Sequence, residues 1–317
     1  MELGAHLPLA DFGDGIPTGA DLRTYAAEAV DLGFSILSAN DHLVWKRPWL
    51  DGPAALAAIL GAAGGATLAT SIALPVVRHP VVLAKALASL AFLAEGPVIA
   101  GLGPGSSSAD YHAVGVPFSE RWARFDESVR LVRSLLHGEA VIDGGFYDGE
   151  GLSLSPLPEV PPQIWFGSWG SDARLRRMAA VADGWFASAY NTTPDRFADA
   201  RSRLDAHLAA AGRDPTAFPD GLATMWLHVT DDPRDARGVL EDLLAPILAR
   251  PPDELGRQLP IGSAEHCVQL LRRYAAAGAQ RVLLWPLRDS VAQLQAFAEQ
   301  VAPHIEGGND PAARPQP

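Results

Sequence analysis

The chain has 317 residues, of which 48% are hydrophobic, enough to bury a large core and to fill one barrel-sized domain of roughly 250 residues plus insertions. Its formal net charge of -12, from 37 acidic against 25 basic residues, argues against a surface built to grip a phosphate backbone, so no nucleic-acid partner is expected. No basic region followed by an apolar stretch opens the sequence and no apolar run has transmembrane length, so a soluble cytoplasmic protein with no membrane association is expected.

Short apolar runs alternate with helix-periodic stretches along the chain. Strands are predicted at Leu3 to Leu7, Phe34 to Ser38, Thr67 to Leu74, Val98 to Leu102, Gln163 to Phe166, Gly184 to Ala187, Ala223 to Val229 and Gln280 to Trp285. Helices are predicted between them at Ala20 to Leu32, Pro53 to Ala63, Val81 to Leu93, Glu120 to His137, Asp172 to Val181, Pro194 to Ala211, Asp235 to Leu248 and Ala264 to Ala277, with a last one from Ser290 to Ala302. Runs as continuously apolar as Val98-Ile99-Ala100-Gly101-Leu102 suit a parallel sheet covered on both faces. Eight strands with eight intervening helices predict an α/β fold, a (β/α)8 TIM barrel with insertion segments. The absence of Gly-x-Gly-x-x-Gly after the first strand argues against an open doubly wound sheet.

Residues 1–306 are expected to form a single domain, and the tail 307–317, rich in Gly, Pro, Asn and Ala, to be disordered. Two segments exceed ordinary connections, Gly103 to Ser119 and Gly138 to Pro162. In the second, Gly144-Gly145 between Val141-Ile142 and Phe146-Tyr147 predicts a hairpin on the face of the barrel that serves stability. Cys267 falls on one face of an amphipathic helix and reads as core.

In a barrel of this kind the reactive groups stand on loops at the C-terminal ends of the strands. The second strand ends in Asn40-Asp41-His42 with Trp45 nearby, a carboxylate and an imidazole suited to proton transfer or to stabilising developing charge. A loop-capping Asp41 and a solvated His42 make the plainer alternative. Gly103-Pro104-Gly105 after strand four leaves room for close approach of a flat ring, unless it is an ordinary glycine-rich turn. Gly167-Ser168-Trp169-Gly170-Ser171 joins strand five to a helix start, where free N–H groups and the helix dipole favour a phosphate, unless Asp172 caps that helix itself. The histidines lack metal-ligand spacing and no Gly-x-Ser-x-Gly elbow occurs, so neither a metal site nor a serine hydrolase is expected.

These segments together resemble the bacterial luciferase-like superfamily, in particular its coenzyme F420-dependent oxidoreductase branch. The resemblance covers nearly the whole chain. It rests on Asn40-Asp41-His42, on Ala69-Thr70-Ser71-Ile72 through Arg78-His79-Pro80, and on Gly101-Leu102-Gly103-Pro104-Gly105. Gly115-Val116-Pro117-Phe118-Ser119-Glu120-Arg121 with Glu127, then Ala182-Asp183-Gly184-Trp185, then Ile261-Gly262-Ser263 continue the order. It implies a cofactor with its ring over the barrel mouth, contacted by Asp41, Ser71, Ile72, Gly103 and Gly105, and a phosphate at Gly167, Gly170 and Ser171. It further implies a cis peptide between Ser71 and Ile72, a proton- or charge-handling His42, and a Trp45 that shapes the substrate side. Asp41 before the strand-two histidine favours F420 over FMN, whereas Ser106 departs from the acidic residue that many relatives carry. A hydride-transferring oxidoreductase acting on a small organic substrate is therefore expected, with an FMN-dependent monooxygenase and a non-catalytic cofactor-binding relative as alternatives. Pairing into a homodimer is also implied.

Overall fold

The computed structural model describes residues 1–139 and 144–305. Nine parallel strands occur in chain order: β1 (Glu2–His6), β2 (Ile36–Ala39), β3 (Thr67–Ala73), β4 (Val98–Leu102), β5 (Gln163–Ser168), β6 (Gly184–Ser188), β7 (Asp220–Val229), β8 (Ile261–Gly262) and β9 (Arg281–Pro286). β1 to β7 each pair with the next, β7 pairs with β9 and β9 returns to β1, so eight strands close a (β/α)8 barrel. β8 adds only two residues beside the end of β7.

The barrel closes around large side chains matched to small ones. Ile36, Ala69, Ile99, Trp165, Phe186, Ala223 and Leu283, one from each of seven strands, make a separate buried cluster inside it. Trp165 and Phe186 meet at 4.7 Å between ring centroids. A Cβ at Gly184 would stand 2.4 Å from the Trp165 ring, and one at Gly101 only 2.0 Å from the Thr70 carbonyl oxygen. These two residues keep the lumen packed and place any cavity above it, at the strand ends. The larger core lies outside the barrel, between strands and helices.

Helix Asp172–Val181 and strand β4 occur at their predicted bounds, and the other predicted strands shift at one or both ends. Pro75–Arg78, Ser108–Ala113 and Pro252–Gln258 are helices too short to show a helical period. The stretch read as one helix from Asp235 to Leu248 is broken into Pro233–Gly238, a π turn Val239–Leu244, and Ala245–Leu248. Pro246 accounts for the break, because it lacks an N–H for the carbonyl four residues back and its ring crowds that carbonyl.

Of the predicted hairpin, residues 140–143 lie outside the described residues, and Phe146-Tyr147 form no strand. Their amides go instead to the buried carboxylate of Glu127, which accepts from Gly145 at 3.1 Å, Phe146 at 2.9 Å and Tyr147 at 2.7 Å. A side-chain acceptor thus replaces a ladder partner. The tail 307–317 also lies outside the described residues. Cys267 is fully buried, and burial pushes its thiol up to about 12, as suits a core residue. Among the described residues no helix is long and apolar enough to cross a membrane.

Candidate active site

One cavity of about 660 Å³ opens at the C-terminal ends of the strands, walled by loops after β2, β4, β5 and β6 and by parts of β3 and β7. Asp41, His42, Ser71, Ile72, Gly105, Gly167, Gly170 and Ser171 all line it; Trp45 and Gly103 do not. A smaller hollow of about 420 Å³ beside Phe12, Tyr25 and Leu287 contains none of the predicted site residues.

The loop after β2 is anchored from below. His6, at the end of β1, receives the Asn40 amide on Nε2 at 3.0 Å and meets the Leu7 carbonyl through Nδ1 at 2.7 Å. Both contacts are satisfied together only by a neutral ring with its proton on Nδ1. Beyond Asn40 the two expected partners diverge. Asp41 is buried, and Arg78 takes both its carboxylate oxygens, Nε at 2.5 Å and Nη2 at 2.6 Å, while the Leu74 amide adds a longer bond at 3.3 Å. Arg78 also pairs with Asp51. Burial disfavours the Arg78 charge, but bonding and attraction from Asp41 and Asp51 outweigh it and raise its pKa. Asp41 therefore ties the β2 loop to the helix after β3 while facing the cavity.

His42 meets a carboxylate absent from the sequence reading. Its Nδ1 lies 2.8 Å from Oδ2 of Asp110, on the short helix Ser108–Ala113. The other Asp110 oxygen accepts the amides of Leu43 and Val44, each at 2.9 Å. Burial opposes ionisation of Asp110, yet His42 and these two amides hold it below the usual carboxylate range. Trp45 touches the cavity only through His42, tilted against its ring at 4.1 Å, with Trp49 edge-on at 5.0 Å.

The peptide between Ser71 and Ile72 is cis, as the resemblance implies, and the β3–β4 register slips between Thr70 and Ala73. The Ser71 hydroxyl is buried without a partner among the described residues. Ile72 lies across two glycine backbones: a Cβ would come 2.1 Å from its Cδ1 at Gly103 and 2.7 Å from its Cγ2 at Gly167. Gly103 thus makes room for Ile72, and Ile72 forms the floor. Opposite, Thr224 lines the cavity at a φ of 55°, rare for a β-branched residue and typical of functional sites.

At the far end Ser171 precedes helix Asp172–Val181 with an extended backbone and no side-chain cap bond. Asp172 is not the cap either, since its carboxylate bonds His207 at 2.8 Å and Arg176 at 2.9 Å. The His207 bond, with help from Arg176 and against desolvation, lowers its pKa. The first amides of this helix are thus left without a side-chain acceptor among the described residues. Arg203 reaches the same loop, donating to the Gly170 carbonyl at 3.1 Å and pairing with Asp199. Arg121 and Arg174 line the cavity as well. None of the three arginines was legible as a site residue, because they come from three separate segments. Asp110 left a faint trace, the Ser107-x-x-Asp110 spacing of a helix start.

Residues 1–250 match the family described as luciferase-like monooxygenase. The chain belongs to that family. This luciferase-like chain is similar to an F420-dependent glucose-6-phosphate dehydrogenase of Beutenbergia cavernae, 33% identical over 69% of the chain and 66% of the relative. It is also similar to an F420-dependent hydroxymycolic acid dehydrogenase of Mycobacterium tuberculosis, 32% identical over 68% of the chain and 61% of that relative. The match spans somewhat less than two thirds of either relative's length. In fold it resembles an F420-dependent secondary alcohol dehydrogenase solved with an F420-acetone adduct, with a TM-score of 0.83 at 17% identity, covering 96% of this chain and 98% of that one.

Proposed function

We propose that this luciferase-like protein is an F420-dependent oxidoreductase that moves a hydride between the deazaflavin and a hydroxyl- or carbonyl-bearing carbon of a small organic substrate. The observation that carries this reading is a single cavity joining His42 and the Ser71-Ile72 floor at one end to an uncapped helix start with arginines at the other. Those features fit a flat ring that continues into a phosphate. Ile72, Gly105 and the unpartnered Ser71 hydroxyl meet the ring, and Gly167, Gly170 and Ser171 with Arg203 hold the phosphate. When bound, the cofactor supplies the hydride acceptor or donor.

The chain's own residues manage the proton. Asp110 accepts from Nδ1 of His42, so the neutral ring offers the lone pair of Nε2, which has no partner among the described residues. Nε2 takes the substrate hydroxyl proton as the carbon is oxidised and returns it in the reverse direction. Trp45 and Trp49 pack against the imidazole. The names of the two dehydrogenase relatives support a hydroxyl-bearing carbon as the reacting centre.

Fluorescence titration of the purified protein with F420 and with FMN, followed by oxygen-uptake measurements, tests this reading. F420 is expected to bind more tightly, with no oxygen consumed. Tighter FMN binding with oxygen uptake would instead establish the monooxygenase, and binding of neither would remove both.

A further inference from the structure

The contacts assigned to the cofactor take the ends of β3, β4 and β5 and the turn into helix Asp172–Val181, and leave the ends of β6 and β7 without a role. Three hydroxyl-bearing residues meet there on the cavity wall: Ser188 closes β6, Tyr190 stands in the turn after it, and Thr224 lies in β7. A chain of hydrogen bonds joins them, and its direction is fixed at its outer end. Arg250 can only donate, and its Nη2 gives to Oδ1 of Asn191 at 2.5 Å while Nη1 holds Glu254 at 2.8 Å. The Asn191 amide therefore turns its Nδ2 to the Ser188 oxygen, at 3.0 Å. The Thr224 hydrogen goes to the Ala223 carbonyl at 2.6 Å, so in the 3.2 Å contact between the two hydroxyls Ser188 donates and Thr224 accepts. The Thr224 oxygen keeps one lone pair to which nothing among the described residues donates. Tyr190 adds its phenol beside Ser188 and Asn191. Burial raises its pKa against those two neighbours and the Arg250 charge, so it stays protonated and able to donate, and Trp226 holds its ring, stacked at 5.3 Å and 10°. Thr224 takes its place at a φ of 55°, where glycine or asparagine would rest without strain. What the strained residue brings is a hydroxyl oxygen.

A donor and an acceptor on one patch match a hydroxyl group, which accepts from the first and donates to the second. They mismatch a ketone, an ether or a bare alkyl group, each of which lacks the hydrogen that Thr224 requires. We propose that Tyr190 and Thr224 form a substrate-positioning pair that grips a second hydroxyl, besides the one whose proton His42 takes, so that the enzyme selects diols and polyols over simple alcohols. Ser188, Asn191 and Arg250 set the direction of the bonds behind the pair. This inference rests on the F420 reading above and names the substrate class of that site.

The test follows F420 reduction by cyclohexanol, cyclohexane-1,2-diol and myo-inositol, the same ring with increasing numbers of hydroxyls, beside fluorescence titration of the cofactor. In the unaltered protein the better polyhydroxy ring should exceed cyclohexanol in kcat/KM by about tenfold or more, chiefly through a lower KM, because the grip is alike in the ground and transition states. Thr224→Val keeps the branched shape and removes the oxygen, and Tyr190→Phe removes the donor. In each the ratio should fall toward one, whatever the absolute rates, while the dissociation constant for F420 stays within about twofold. Thr224→Ser retains the oxygen and should retain the ratio, which a merely structural role for the side chain does not predict. A ratio near one in the unaltered protein, or reduction of bound F420 by none of the rings, overturns the pair and leaves F420 as the cofactor. A ratio that survives both substitutions overturns it as well. So does a loss of F420 affinity with the Thr224 oxygen, which would assign these hydroxyls to the cofactor's ribityl chain. Failure of the unaltered protein to bind F420 sinks the F420 reading and this inference together.

Discussion

Around His42 the decisive partner is Asp110, 68 positions away in the chain and 2.8 Å away in space. The dyad fixes which ring nitrogen faces the chemistry, so its two members should affect turnover rather than cofactor binding. For His42→Ala, kcat should fall by about 10²- to 10⁴-fold while the dissociation constant for F420 changes by less than about twofold. Asp110→Asn should fall less far, because its side chain keeps an oxygen for the imidazole. Steady-state kinetics beside fluorescence titration checks both, and an equal loss of cofactor affinity would reduce His42 to a wall of the cavity. Asp41 and His42 are adjacent in sequence and were read together, yet the fold separates them. Arg78 takes both Asp41 carboxylate oxygens, and of the two residues His42 is the one with a polar atom left without a partner among the described residues.

Among the elements, the irregular end of β3 stands out, because Ile72 there rests on backbone from both β4 and β5. Alanine at Gly103 would force the Ile72 side chain up into the cavity. Gly103→Ala should therefore cost about 1–3 kcal/mol of stability and weaken cofactor binding together. Combining it with Ile72→Ala should restore the stability, since the obstacle is a side chain and not the main chain. Urea unfolding of the single and double variants decides the matter: if the double variant is no more stable than Gly103→Ala alone, the clash lies elsewhere. Both glycine-rich turns were legible as places where something approaches the backbone. In the first of them the visitor at Gly103 is a neighbouring strand's isoleucine, a contact that sequence spacing does not encode.

Across the whole molecule, the barrel is linked to pH through His6. Burial drives its pKa from 6.5 down to about 3, against the bond to the Leu7 carbonyl, which favours the charge. The unfolded chain binds a proton at this residue below 6.5, whereas the folded chain binds none until about 3. The neutral ring's contribution is thus complete above 6.5 and is lost as the pH falls through that window, by about 1.4 kcal/mol per unit at most. Stability of the wild type and of His6→Gln, measured by denaturant unfolding at a series of acidic pH values, should converge as the pH falls. Parallel curves would mean that His6 is protonated in the fold.

The sequence by itself determined the barrel, because alternating strands and helices bury their apolar faces in one repeating way whatever the distant contacts. It also determined which loops crowd the mouth, including Asn40 to His42 and the loop from Gly167 to Ser171, since these lie at strand ends, whereas the Ser71-Ile72 bulge was implied by the family resemblance. Only the tertiary structure decided how their charges are used. Asp41 is held by Arg78, His42 by Asp110, and Asp172 by His207 and Arg176 rather than by its own helix start. Arg174 reaches the Trp122 ring only because the helices that follow β4 and β5 lie side by side. A side chain's charge is assigned by the partners within a few ångströms of it, and in a closed barrel those partners come from other strands.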